Sequence, residues 1–156
     1  MRITDRLRAE HGVFLRQLKT LERLQQEGAP AAVLAAVVAA IADAEEHHSE
    51  LEDRVLYPAL VRVLGPDKVA LQGVAREHAR LRTLSSSIRS GRFEAKDVAD
   101  YIQAAREHFE HEIHGVFVLA EAWISDELLE GMANWNVDHT FEELGRPAPW
   151  NEKGQP

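Results

Sequence analysis

The sequence contains no cysteine, which excludes a disulfide framework, a Cys-rich zinc site, a thiolate-held iron–sulfur cluster and a cysteine nucleophile. Any metal must be held by nitrogen and oxygen. Positive charge is scarce. Against 26 Asp plus Glu there are 18 Lys plus Arg, a formal net charge of -8. Such a surface repels phosphate backbones, so no nucleic-acid partner is expected. Long apolar runs are also missing: the longest uncharged apolar run, 29–42, is shorter than the roughly 20 residues a membrane span needs. The opening MRITDRLRAEHG lacks the apolar segment of a signal peptide. The expectation is therefore a cytosolic protein with no membrane partner. Only nine Gly and six Pro occur in 156 residues, and 45% of the chain is hydrophobic against 28% charged. That is the composition of one folded domain, not of a collagen-like or disordered chain.

What the sequence has in excess is histidine: eight, beside two Tyr and two Met. Their positions follow from the helix punctuation. Thr4-Asp5 can cap a first helix, and Gly28-Ala29-Pro30, Gly65-Pro66 and Ser90-Gly91 break the chain. Four segments result, approximately 4–27, 30–64, 66–90 and 94–124, none with strand-like alternation. The fold class is all-α, and short connections predict an up-down-up-down antiparallel four-helix bundle over residues 1–124. Residues 125–156 are expected to add a short helix, beginning at Ser125-Asp126-Glu127 with Leu128, Met132 and Trp135 on one side, that packs across the bundle end, with partner docking as the alternative, and a tail whose end, 146–156, is mobile.

Apolar spacings of three and four give each helix a seam. They read Leu7, His11, Phe14, Leu18, Leu21; then Val37, Ile41, Ala44, His48, Leu51, Val55; then Leu71, Val74, His78, Leu81, Ser85, Ile88; and last Val98, Tyr101, Ala105, His108, Glu112, Gly115, Leu119. Each seam carries one histidine. Glu52 and Glu112 each stand four residues after a seam histidine, on the same face. Heights agree as well. His11 lies 17 residues before Gly28 and His48 lies 20 after it; Glu52 and His78 each lie 13 from Gly65; His78 lies 13 before Gly91 and His108 lies 17 after it. At about 1.5 Å per residue, all six groups fall within one or two turns of a common layer. The pattern is repeated internally: Glu10-His11 and His48-x-x-x-Glu52 are echoed by Glu77-His78 and His108-x-x-x-Glu112. Pro58 removes one backbone hydrogen bond and is expected to kink the second helix beyond the site.

Four imidazoles and two carboxylates buried together conflict, because each buried ion costs several kcal/mol and each unsatisfied polar group about 1 to 3. Divalent cations resolve the conflict and turn the cluster into a folding contribution; the plainer alternative is His–Glu hydrogen bonding without metal. Two octahedral ions offer roughly twelve positions. Four His fill four and two bridging Glu fill four more, so a shared oxide or hydroxide still leaves room for a small exogenous ligand.

The order His11, His48-x-x-x-Glu52, His78, His108-x-x-x-Glu112, with Leu56-Tyr57-Pro58, resembles the hemerythrin-like (HHE cation-binding) family over approximately residues 4–124. The resemblance implies a non-haem centre of two iron ions, oxo- or hydroxo-bridged, with His terminal ligands and Glu bridges. Such proteins bind dioxygen, sense oxygen or iron, or handle nitric oxide and peroxide. Oxygen-carrying hemerythrins have a further His one turn after the third-helix ligand, where this chain has Arg82. His47 and His111 flank the seam and are candidates for a fifth ligand or an outer group.

The expected function is thus a binding or sensing protein with a dioxygen, nitric oxide or peroxide partner. The alternatives are a di-iron enzyme that reduces peroxide or nitric oxide or donates iron in repair, and a zinc staple. No general acid or cofactor loop supports an enzyme. The arginines Arg76, Arg80, Arg82, Arg89 and Arg92 on helix three read as a solvated face, with a homodimer patch as the alternative.

Overall fold

The computed structural model describes residues 1–65 and 69–134, and among them every regular element is helical. Helix α1 is Ile3–Gln26. The second rod is α2, Ala31–Leu51, continued by a π-helical turn, Glu52–Leu56, and α3, Tyr57–Leu64. The third is α4, Val69–Arg89. The fourth is α5, Ala95–His111, a second π turn, Glu112–Val116, and α6, Phe117–Trp123. A short α7, Asp126–Ala133, follows. The segment boundaries expected from Gly and Pro hold to within a few residues. Gly28 and Gly91 take φ of 75° and 73°, left-handed conformations that end a helix without the Cβ penalty other residues suffer.

Local chemistry explains the starts. The Arg2 backbone N–H donates to Asp5 Oδ2 at 3.0 Å and the Glu94 N–H donates to Asp97 Oδ2 at 2.7 Å, so an aspartate in each first turn serves an otherwise free donor. Asp5 is therefore part of the first helix start, but the helix opens at Ile3, ahead of the expected cap at Thr4-Asp5. At α7 the Ser125 hydroxyl accepts from the Leu128 N–H at 3.4 Å. The buried face of α7 is Leu129, Met132 and Ala133, whereas Leu128 is exposed. Trp135 and the tail expected to be mobile lie outside the described residues.

The rods pack in a ring: α1 against α2 and α5, and α4 against α2 and α5, with α7 across the start of α1. Their buried apolar side chains form two clusters. One contains Ile3, Leu7, Val55, Leu60, Phe117 and Met132. The other contains Phe14, Leu18, Ile41, Leu81, Ile88, Tyr101 and Phe109. The four seam histidines and the two glutamates sit where these clusters meet.

Two seams differ from the sequence reading. In α2 the buried line runs Leu34, Val38, Ile41, Glu45, His48, leaving Val37 half-buried and Ala44 exposed. This helix is alanine-rich and apolar nearly all round, so hydrophobicity alone does not choose its face. In the fourth rod the buried line after Glu112 is Val116, Phe117 and Ala120, with Gly115 and Leu119 only half-buried. The π turn causes this: the Phe117 N–H bonds to the Glu112 carbonyl, five residues back, which inserts one residue and advances the seam. The second rod has the same turn, with the Tyr57 N–H on the Glu52 carbonyl. Pro58 lies two residues past its end, in the first turn of α3, so the disturbance expected from proline takes the form of a widened turn inside a continuous helix. The turn in the fourth rod has no proline. What the two turns share is a buried glutamate at the first position.

No helix among the described residues is long and apolar enough to cross a membrane.

Candidate metal centre

Six side chains from four rods meet in one layer. His11, Glu52 and Glu112 are fully buried, and His48, His78 and His108 are at most 3% exposed. Every histidine turns Nε2 inward. His11 Nε2 and His48 Nε2 are 2.8 Å apart. His11 Nε2 lies 3.3 Å and His108 Nε2 lies 3.2 Å from Glu112 Oε2. On the other glutamate, His48 Nε2 lies 3.2 Å from Glu52 Oε1 and His78 Nε2 lies 3.6 Å from Glu52 Oε2. The arrangement resolves into two groups, His11, His48, Glu52 and Glu112, and Glu52, His78, His108 and Glu112, whose donor atoms lie within 4.8 Å of one another. Each half of the chain supplies two histidines to one group, and both glutamates belong to both groups.

The donor set fits metal. Two donors about 2.1 Å from one ion and at right angles stand about 3.0 Å apart, which is the spacing seen across the cluster. Several inward atoms have no hydrogen-bond partner: Glu52 Oε1, Glu112 Oε2, His78 Nε2 and His108 Nε2. Orphaned buried acceptors of this kind are costly unless a cation takes their lone pairs.

Outer carboxylates orient two of the imidazoles. His48 Nδ1 is 2.7 Å from Glu10 Oε2, and His108 Nδ1 is 3.1 Å from Glu77 Oε2. An Nδ1–H donated outward leaves the Nε2 lone pair facing the centre, the tautomer a metal requires. The sequence reading noted Glu10 and Glu77 only as neighbours in a repeated pattern. Their role comes from reach: each extends to the histidine of the next rod, not to the one beside it in sequence. Tyr57 was likewise quoted only as part of a motif, yet its hydroxyl donates to Glu112 and lies 3.3 Å from Glu52 Oε2. Aromatic rings close the apolar side, with Phe109 4.5 Å and Phe117 5.3 Å from the His11 ring.

Neither flanking histidine enters the cluster. His47 is exposed, and half-buried His111 places Nδ1 2.9 Å from Glu77 Oε1, so it supports the carboxylate that holds His108. Arg82 is exposed, and with His78 it lines a cavity between α2 and α4.

Electrostatics show how strained the metal-free cluster is. Burial and the neighbouring Glu52 charge push the Glu112 carboxyl well above the usual range. Burial, helped by the other imidazoles, drives His11 down to about 2. Burial also opposes charge on His48, but Glu52 and Glu10 outweigh it and raise that imidazole to about 9. One layer thus holds a carboxyl pressed to stay neutral, an imidazole pressed to stay neutral and an imidazole pressed to charge.

No curated protein and no solved structure matches the chain. Residues 2–145 do match a family profile, that of the hemerythrin HHE cation-binding domain, which extends past the stretch 4–124 that carries the motif. With nearly the whole chain covered and a buried His/Glu cluster able to hold cations at its middle, the protein belongs to the hemerythrin HHE cation-binding family.

Proposed function

We propose that the protein is a non-haem di-iron protein that binds or senses dioxygen or a related small ligand such as nitric oxide or peroxide. One observation carries this reading: two four-donor groups interlock through shared Glu52 and Glu112. In it, His11, His48, His78 and His108 are the terminal ligands, the two glutamates bridge, and residues 1–124 are an up-down-up-down bundle to which 125–156 are appended. Bound iron supplies a redox-active centre with coordination positions left over for an exogenous ligand.

The residues around it have their own tasks. Glu10 and Glu77 hold His48 and His108 in the ligating tautomer. Tyr57 holds a phenolic proton on the Glu112 carboxylate, and burial together with the Glu52 and Glu112 charges keeps that phenol protonated. Phe14, Phe109 and Phe117 exclude water from the His11 side.

The test is to load the purified chain anaerobically with ferrous iron, count the metal and then admit air. Two ions per chain and a new near-ultraviolet to visible absorption are expected, and His48→Ala and Glu112→Ala should bind one ion or none. Retention of two ions by both variants would overturn the ligand set. An unchanged spectrum would favour a redox-silent staple, and sustained turnover of peroxide or nitric oxide would move the assignment from binding to catalysis.

A further inference from the structure

His78 is the least supported of the four inward histidines. Glu10 lies on Nδ1 of His48 and Glu77 on Nδ1 of His108, but both nitrogens of His78 are buried without a hydrogen-bond partner. Two rings lie against it, His108 edge-on at 4.7 Å between centroids and Tyr57 at 6.2 Å. A buried N–H left unpaired costs about 1 to 3 kcal/mol, so a protonated Nδ1 needs an acceptor. Among the described residues one carboxylate comes within ion-pairing distance of that nitrogen: Asp53, with Oδ1 3.5 Å away. Asp53 is the neighbour of Glu52 in the first π turn. Successive helical side chains diverge by about 100°, and the His78 ring sits in the angle between these two. Glu52 Oε2 is 3.6 Å from Nε2 at one end of the ring, and Asp53 faces Nδ1 at the other. The internal repeat does not impose this contact. Glu112 is followed by Ile113 where Glu52 is followed by Asp53, and His11, the counterpart of His78, has an Nδ1 with no partner.

We propose that Asp53 is the positioning residue of His78: its carboxylate accepts the Nδ1–H and holds the Nε2 lone pair toward the proposed centre. The inference rests on the di-metal reading. The Asp53 side chain is 47% exposed, so it can turn to close the gap to the about 2.8 Å of a charge-assisted bond without disturbing the core. An imidazole held in this way has a fixed ring and tautomer and a more basic Nε2. With Asp53 engaged, both histidines of the His78 and His108 group carry an outer carboxylate, whereas in the His11 and His48 group only His48 does. The two groups are chemically unequal although the sequence repeats.

The experiment is an anaerobic ferrous-iron titration against a chromogenic chelator, run on the natural chain and on Asp53→Ala, Asp53→Glu and Glu46→Ala, with urea midpoints of each metal-free chain beside it. Asp53→Ala is expected to weaken iron binding about 10- to 100-fold, while its metal-free midpoint does not fall. Asp53→Glu keeps an acceptor and should recover most of the affinity. Glu46→Ala removes an equal charge from an exposed site near His78 and should leave affinity close to natural. Unchanged affinity in Asp53→Ala overturns the proposal. So does a loss that Asp53→Glu shares in full, that Glu46→Ala reproduces, or that comes with an equal loss of metal-free stability. Failure of the natural chain itself to bind iron overturns the di-metal reading and the role of Asp53 with it, whereas iron binding that ignores Asp53→Ala removes that role alone.

Discussion

Glu77 touches two histidines at once. Its carboxylate reaches His108 Nδ1 and His111 Nδ1, and it is only half-buried, so it works as a clamp and not as a core group. Glu77→Gln should preserve the fold and lower metal affinity by about 10- to 100-fold, as losses of such outer partners do; competition with a chromogenic chelator measures it. Tyr101 shows the opposite balance. Tyr101→Phe leaves the buried Glu45 carboxyl without its hydroxyl donor, which should cost about 1 to 3 kcal/mol in denaturant unfolding and leave metal content at its natural value. At this scale much was readable in advance. The six inward groups follow from helical spacing and burial, because a polar residue on an apolar seam has nowhere else to point. Glu10, Glu77 and Glu45 were not readable in the same way: their partners sit on other rods, the adjacent one for Glu10 and Glu77 and the diagonal one for Glu45, and one-dimensional spacing carries no record of lateral reach.

The two π turns are the structural decision made at the level of elements. Each begins at a buried glutamate, and each advances the seam by one residue, so that Phe117 and Ala120 face the core instead of Leu119. Deleting Gly115 would restore an ordinary helix and place Phe117 four residues after Glu112, so α6 would keep the face it now presents to the core. Phe117→Ala, in contrast, empties a buried site and should cost about 3 to 5 kcal/mol in chemical denaturation. The period of 3.6 assumed when reading a sequence cannot reveal an inserted residue, which explains why the seam was correct up to Glu112 and displaced beyond it. The helix ends were legible because Gly28 and Gly91 need left-handed backbone. The face of α2 was not legible, because alanines offer water and core nearly the same surface.

For the whole molecule, the polar layer ties stability to pH. In the metal-free chain His11 is neutral down to about 2, against about 6.5 when unfolded. The unfolded chain therefore takes up that proton first, and the contribution of His11 is complete above about pH 6.5 and is lost as pH falls toward 2. His48 runs the other way. Raised to about 9, it contributes fully below about pH 6.5, and this is lost as pH rises through 9. Relative to the natural chain, His11→Gln should lose less stability between pH 7 and pH 4.5, and His48→Gln less between pH 7 and pH 9.5, in urea midpoints of metal-free protein. In the metal-loaded chain acidification should release the ions as the imidazoles protonate near pH 6 or below, measured as metal content after desalting.

Glu52 and Glu112 belong to both donor groups, and that sharing shapes how the centre fills. In the proposed centre, whichever ion arrived first would fix both carboxylates and lift their mutual repulsion, so the second would find its bridges already aligned. Under substoichiometric iron the population should divide between empty and doubly occupied molecules. Native mass spectrometry would register this as a scarce intermediate mass, and a dominant singly filled peak would show that the two halves load independently.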